Sequence, residues 1–255
     1  MGRALASALI GKEVCRPGEI LVVDPDAACQ EACRKLGCVV AGTADDAVSA
    51  APVLVLAVKP QSAREAFAQL RPLLKPGQLV VSIMAGITMA AMREGLGHEA
   101  LVRVMPNTPA QVGLGMNVYY AAPGIAKERL AAVEALLNAS GEALAVNSED
   151  AIDAATAISG SGPAYVFYVA EHWTNRAQAL GFSAEEAQTL VQQTLLGATT
   201  LWKAQDVAVG TLREQVTSKG GTTAAALEYF DAHDVGEHLA RGMEKAYQRA
   251  KELGR

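Results

Sequence analysis

The sequence predicts an α/β N-terminal part, built on a parallel sheet covered on both faces, followed by an all-helical C-terminal part. Three observations carry this. Short β-branched runs alternate with helical patterns over residues 1–149. All ten prolines lie at or before Pro163, so the rest of the chain has none to interrupt a helix. Beyond that point apolar residues recur at helical spacing.

The strands are expected at 19–23, 53–57, 79–83, 101–104, 116–121 and 143–146. The second of these, Val53-Leu54-Val55-Leu56-Ala57, is continuously apolar, as a strand buried on both faces is. Helical patterns at 3–11, 26–36, 61–70, 88–95 and 126–138 fill the gaps. In the second part, a helix at 164–180 ends before Gly181, a left-handed stop. Ser183 and Glu186 form a capping box for a helix running to about Lys203. Another follows Gly220-Gly221, and the last begins near Val235. The expected division is a first domain at 1–149 and a helical domain at 150–255.

Composition narrows the function classes. With 51% hydrophobic and 19% charged residues the chain is globular and not disordered. A net charge of −5 leaves no broad basic footprint, so no nucleic-acid partner is expected. No apolar run reaches the roughly 18 residues of a membrane span. The start, Met1-Gly2-Arg3-Ala4-Leu5-Ala6, lacks the order of a signal peptide and the Ser or Thr of a myristoylation signal. Cys15, Cys29, Cys33 and Cys38 include no Cys-x-x-Cys pair, so they read as packed thiols with no metal. A cytoplasmic protein is expected.

A dinucleotide-binding unit opens with a strand, a Gly-x-Gly-x-x-Gly turn and a helix whose N-terminus meets the pyrophosphate. An acid about 20 residues on, after the second strand, takes the ribose hydroxyls. Asp24 stands where that acid belongs, and 2–11 where the first crossover helix belongs. The expectation is therefore a Rossmann-like sheet whose first strand and Gly-rich loop are missing from the chain, which begins inside the phosphate turn.

Five downstream segments decide the family. They are Ala57-Val58-Lys59-Pro60, Ser82-Ile83-Met84-Ala85-Gly86-Ile87 and Arg103-Val104-Met105-Pro106-Asn107-Thr108-Pro109-Ala110. The helical part adds Ser159-Gly160-Ser161-Gly162-Pro163-Ala164-Tyr165 and Val216-Thr217-Ser218-Lys219-Gly220-Gly221-Thr222-Thr223. In this order and spacing they resemble pyrroline-5-carboxylate reductase over the whole chain. The resemblance implies reduction of 1-pyrroline-5-carboxylate, a cyclic imine carboxylate, to L-proline. It implies NADP or NAD as coenzyme and an intertwined homodimer, with rings of dimers as the larger assembly. It also implies that about a dozen residues, one strand and a turn, precede Met1.

The resemblance assigns roles residue by residue. Met1, Asp24, Ala57, Val58, Lys59, Pro60, Met84, Ala85 and Gly86 lie along the coenzyme. Asn107 organises the site, Glu149 and Pro163 match positions near the coenzyme of this or the facing subunit, and Gln215 matches a coenzyme position that in relatives is often another amide. Ser218, Gly220, Gly221, Thr222 and Thr223 hold the substrate carboxylate, and the Thr223 hydroxyl faces the ring nitrogen. The residues agree with this physically. A helix start behind two flexible glycines is a carboxylate cradle, although Thr there also serves as a plain helix cap. Lys59 at a strand end reads as solvated or phosphate-facing, not as a base. An imine protonates easily, so positioning matters more than a tuned His, and no His stands in any motif. The sequence departs from relatives at Lys219, commonly Pro, and at Ala44, commonly Asn. Asp24 leans toward NADH, because it repels a 2′-phosphate.

Two other readings compete. A hydroxyacid dehydrogenase of similar architecture needs a Lys in the helix after the Gly-Ser-Gly segment, and 160–167 has none. A truncated, inactive relative would keep only the dimer scaffold. On the reductase reading the complete polypeptide is expected to reduce the imine, and the chain as written, without that strand and loop, is not.

Overall fold

The computed structural model describes residues 1–254. It divides into two compact units, Met1–Pro163 with Ala246–Arg255, and Ala164–Lys245.

The first unit alternates strand and helix. Its elements are α1 (Gly2–Gly11), β1 (Leu21–Val23), α2 (Ala27–Lys35), β2 (Val39–Ala41) and β3 (Val53–Leu56). Then come α3 (Ala63–Leu70), β4 (Leu79–Ser82), α4 (Met89–Leu96), β5 (Leu101–Met105), β6 (Gly115–Ala121), α5 (Lys127–Asn138) and β7 (Gly141–Ala145). The helices start where local chemistry allows. The Asp26 carboxylate accepts the amides of Ala28 and Cys29 at the head of α2. Thr88 accepts the Ala91 amide at the head of α4, which ends on left-handed Gly97.

A five-stranded sheet has the order β3-β4-β5-β6-β7. Strands β3, β4 and β5 are parallel, with Val80 beside Leu54 and Leu101. Their residues pack in two layers, because successive side chains point to opposite faces. One face joins Leu54, Leu56, Val80 and Leu101 to Phe67 of α3 and to Met89, Met92 and Leu96 of α4. The other joins Leu79, Val81, Val102 and Val104 to Val133 and Leu137 of α5. Leu79, Leu101 and Leu137 are each at most 1% exposed, and burying such a side chain stabilises by about 1.5–3 kcal/mol. The Tyr119 hydroxyl donates to Glu134, and burial, that bond and the nearby charge push its pKa up to about 12.

The expected parallel sheet is corrected at β6, which runs antiparallel to β5. The connection, residues 106–114, is shorter than the roughly dozen residues a parallel crossover needs. β7 returns parallel to β6 through α5 and begins earlier than the sequence suggested, because Gly141 pairs with Gly115. A short strand was not foreseen: β2, three residues beside Cys38, pairs in parallel with β1. These two strands share no ladder with β3. Helix α1 spans the two sheets by packing Leu5 and Leu9 against Ile20 on one side and Val55 on the other.

A nearly continuous helix follows. It comprises α6 (Asp150–Ala155), a π turn (Thr156–Gly160) and α7 (Gly162–Ala179), the π turn closed by the Ser161 amide on the Thr156 carbonyl at 2.8 Å.

The second unit is helical throughout. It holds most of α7, then α8 (Ala184–Ala204), α9 (Val209–Gln215) and α10 (Thr222–Ala232). Helix α11 (Val235–Leu253) begins in this unit and ends in the first. Gly181 stops α7 at φ +105°, and the Phe182 amide reaches back to the Ala177 carbonyl. The predicted capping box forms: the Ser183 amide donates to Glu186 at 2.8 Å and the Glu186 amide to the Ser183 hydroxyl at 3.3 Å. Phe167, Tyr168, Leu196, Trp202 and Tyr229 are exposed in the single chain. No helix among the described residues is long and apolar enough to cross a membrane.

Candidate active site

Because β1, β3, β4 and β5 run parallel within their sheets, each ends at a carboxyl edge. Ligands of open α/β sheets bind at such edges. After β3 come Ala57, Val58 and Lys59, all exposed, and half-buried Pro60. Lys59 has its side chain in the open, with Pro60 at the start of a short 3-10 turn. After β4, Met84 is 2% exposed, Ala85 is exposed, and Gly86 takes φ +72°. The Met84 amide donates to the buried Ser82 hydroxyl at 3.3 Å.

The start of α1 adjoins this edge. A Cβ on Gly2 would lie 2.9 Å from the Ala57 Cβ, so only glycine fits that approach. The helix has no side-chain cap and no acid in its first turn. Its first amides are therefore free for an anion. Met1 and Leu5 share a small crevice with Ile83, Pro106 and Ala110. Asp24 follows β1, and one of its oxygens accepts the Asp26 amide at 2.9 Å. The Asp24 charge is the largest cause of a raised Cys29 thiol pKa, ahead of burial and Asp26, while Arg3 opposes it. An anion-seeking helix start, an acid past β1 and a close-packed glycine turn past β4 suit the pyrophosphate, ribose and nicotinamide of a dinucleotide.

Asn107 sits at the carboxyl end of β5 and ties two segments together. Its Nδ2 donates to the Ser159 carbonyl at 3.1 Å, and its Oδ1 accepts the Met116 amide at 2.8 Å. The carbonyl it takes belongs to the π turn, whose geometry frees carbonyls from the helical ladder. Pro163 lies in the first turn of α7, where its missing N–H costs no helical bond. Glu149 is not free: one of its oxygens accepts both the Met89 amide at 2.7 Å and Arg103 at 2.8 Å.

In the second unit, Gln215 ends α9 and is exposed. Ser218, Lys219 and Gly220 form a turn in which the Gly221 amide donates to the Ser218 carbonyl at 3.0 Å and Gly220 has φ +71°. A Cβ on Gly221 would meet the Ser218 Oγ at 2.4 Å, so the hydroxyl folds over the helix start. Gly221 is the N-cap of α10, which has no side-chain cap and no acid in its first turn. Thr222 and Thr223 therefore do not serve as caps, and the first amides of α10 remain unpaired with side chains. The turn presents N–H groups, a Ser hydroxyl and two Thr hydroxyls, which is a donor set for a carboxylate.

Comparison with known proteins bears on both units. A family profile described as pyrroline-5-carboxylate reductase dimerisation matches residues 149–253. A second, described as NADP oxidoreductase coenzyme F420-dependent, matches residues 1–86. The pyrroline-5-carboxylate reductase of Pseudomonas aeruginosa is 42% identical over 209 residues, 82% of this chain and 77% of that protein. The chain belongs to the pyrroline-5-carboxylate reductase family. The crystal structure of the Coxiella burnetii reductase superposes with a TM-score of 0.93 at 32% identity, covering 100% of this chain and 95% of that one. The Plasmodium falciparum reductase, solved with NADP bound, gives 0.88 at 28% identity over 100% of this chain and 95% of that one. As a family member this chain is an NAD(P)H-dependent oxidoreductase with a dimerisation domain, and therefore a homo-oligomer.

Two features of the site were not foreseen. Arg103 was read only as part of a family motif. It is a fully buried guanidinium, 3% exposed at its side chain, paired with both Glu149 and Asp153 at 2.8 Å. Its one sequence signal is a charge inside the otherwise apolar strand Leu101-Val102-Arg103-Val104-Met105. The π turn had no signal beyond Gly160 at its end. Among the described residues no group of His, Cys, Asp and Glu could hold a metal ion.

Proposed function

We propose that this chain as it stands reduces 1-pyrroline-5-carboxylate to L-proline, the last step of proline synthesis, against the expectation that only a longer polypeptide would. The carrying observation is the uncapped start of α10 behind Ser218, Gly220 and Gly221, a cradle for the one carboxylate of this substrate. The amides of Thr222 and Thr223 and the Ser218 hydroxyl hold that carboxylate. The Thr223 hydroxyl hydrogen-bonds the ring nitrogen and keeps the C=N bond aligned. A bound reduced nicotinamide supplies the hydride. The hydride's electron pair forms the new C–H bond at the imine carbon, the C=N π pair moves to nitrogen, and nitrogen ends with one proton from solvent. Protonation makes the imine electrophilic without a dedicated acid, so the protein's work is positioning.

For the coenzyme, Met1 and the start of α1 lie along the pyrophosphate. Asp24 takes the ribose, and Ala57, Val58, Lys59 and Pro60 run beside the chain of phosphates and sugar. Met84, Ala85 and Gly86 meet the nicotinamide. Pro163 belongs to the same coenzyme site, and Asn107 organises it by holding the π turn to β6; Gln215 keeps the coenzyme role that the resemblance gives it.

In this reading 1–149 is the coenzyme domain and 150–255 the substrate and dimer domain. The assembly is a homodimer formed through the exposed apolar faces of α7, α8 and α10, and rings of such dimers are its larger form. The free cysteines and the coenzyme pool suit the cytoplasm.

A substrate analogue tests the cradle. With 1-pyrroline, which lacks the carboxylate, kcat/KM is expected to fall by about a hundredfold or more, since charge-assisted bonds to the substrate are lost. Equal rates for the two imines would remove the carboxylate cradle from the site.

A further inference from the structure

Arg103 stands on β5, between Ser82 of β4 and Tyr120 of β6 in the ladder register. This is the face that otherwise carries Val80 and Leu101 into the core. The guanidinium is buried, and its Nε has neither a protein partner nor exposure. A desolvated cation with one orphaned N–H is a costly occupant for a strand centre, and a Leu or Met would pack there without it. The arrangement therefore calls for a use other than packing.

The two Nη atoms diverge. One donates to Glu149 at the head of α6 and the other to Asp153 one turn on, both at 2.8 Å. The Glu149 oxygen that accepts Arg103 also accepts the Met89 amide at 2.7 Å. Met89 is the first residue of α4 and directly follows the turn 83–88. On its other side the same turn bears the end of α11: the Leu253 carbonyl would sit 3.1 Å from a Cβ on Gly86, and Gly254 lies against Thr88. The turn is thus held at its exit by Glu149 and backed by Leu253.

We propose that Glu149 is a positioning residue: clamped by Arg103, it fixes the Met89 amide and so sets the depth of the 83–88 turn against the nicotinamide. It acts through the turn, in place of the direct coenzyme contact that the resemblance implied, because its carboxylate is engaged by the Met89 amide and Arg103. Asp153 fixes the far side of the guanidinium and keeps the fork pointed at Glu149. This inference rests on the reading above that residues 84–86 meet the nicotinamide.

The test uses the full chain and three variants, Glu149→Ala, Glu149→Gln and Asp153→Asn. Four quantities are measured: coenzyme Kd by NADPH fluorescence, kcat and KM for the imine, the deuterium isotope effect on hydride transfer, and hydrogen exchange of the Met89 amide. In Glu149→Ala the Met89 amide should exchange about tenfold faster. kcat should fall by about tenfold or more with imine KM little changed, and the isotope effect should rise as hydride transfer becomes limiting. Glu149→Gln keeps an acceptor for the amide and loses the ion pair, so it should fall between wild type and Ala. Asp153→Asn should lose less than either. If Glu149→Ala does not fold, the order wild type, Asp153→Asn, Glu149→Gln carries the test. Wild-type kcat, coenzyme Kd and Met89 exchange in the Glu149 variants, with only the melting temperature lowered, would overturn the proposal. Should the wild-type chain bind coenzyme yet leave the imine untouched, the reading of the reaction fails. Coenzyme Kd and Met89 exchange then still decide the role of Glu149.

Discussion

The hydroxyl of Thr223 is the group nearest the proposed chemistry, and the structure separates its two roles. A Thr at a helix start commonly caps the helix, but α10 has no side-chain cap. Replacing Thr223 should therefore cost little stability and much turnover. Thr223→Ala is expected to lower kcat by about tenfold or more while shifting the melting temperature little. Thr223→Val keeps the bulk and should lose as much as Ala. Steady-state kinetics beside thermal melts check this. Wild-type turnover in both variants would leave Thr223 without a chemical role. The role proposed for Thr223 comes from the family resemblance; what the sequence shows by itself is that Gly220, Gly221, Thr222 and Thr223 are contiguous and open a helix. Arg103 was not legible, because its partners lie 46 and 50 residues away and only the folded chain joins them.

At the scale of elements, periodicity located most helices to within a residue or two, because their apolar faces repeat and their caps are local. The strands were harder. β2 is three residues long and too short to show alternation. The direction of β6 depends on the length of its connection and not on its own residues. One strand contact carries a sharp expectation. Gly141 starts β7 at φ +154°, and a Cβ there would fall 1.9 Å from the Gly115 carbonyl oxygen. The side chain has no space in the β6–β7 ladder, so Gly141→Ala must open that pairing. It should destabilise the chain by about 3 kcal/mol or more, read as a lower urea midpoint. Gly124→Ala is a useful contrast, since it shares a left-handed φ of +88° but meets nothing within 4 Å. Its cost should be about 1 kcal/mol, from the backbone alone.

On the scale of the whole molecule, parallel strands end at a carboxyl edge of the first unit where most of the proposed coenzyme groups stand, and the proposed carboxylate cradle is at the head of α10 in the second. The edge was readable because residues 57–60 directly follow the continuously apolar strand 53–56, whereas the cradle reading came from the family resemblance. What no pattern in the sequence conveyed is how the 83–88 turn is braced, by Glu149 at its exit and by the end of α11 against Gly86. The central claim is a single chemical conversion. The purified chain is supplied with 1-pyrroline-5-carboxylate and with NADH or NADPH, and coenzyme oxidation and L-proline are measured together. The prediction is one L-proline formed per coenzyme oxidised, with no oxidation when the imine is omitted. A chain that binds the nucleotide, as read by its fluorescence, and oxidises none of it in the presence of the imine would contradict the claim.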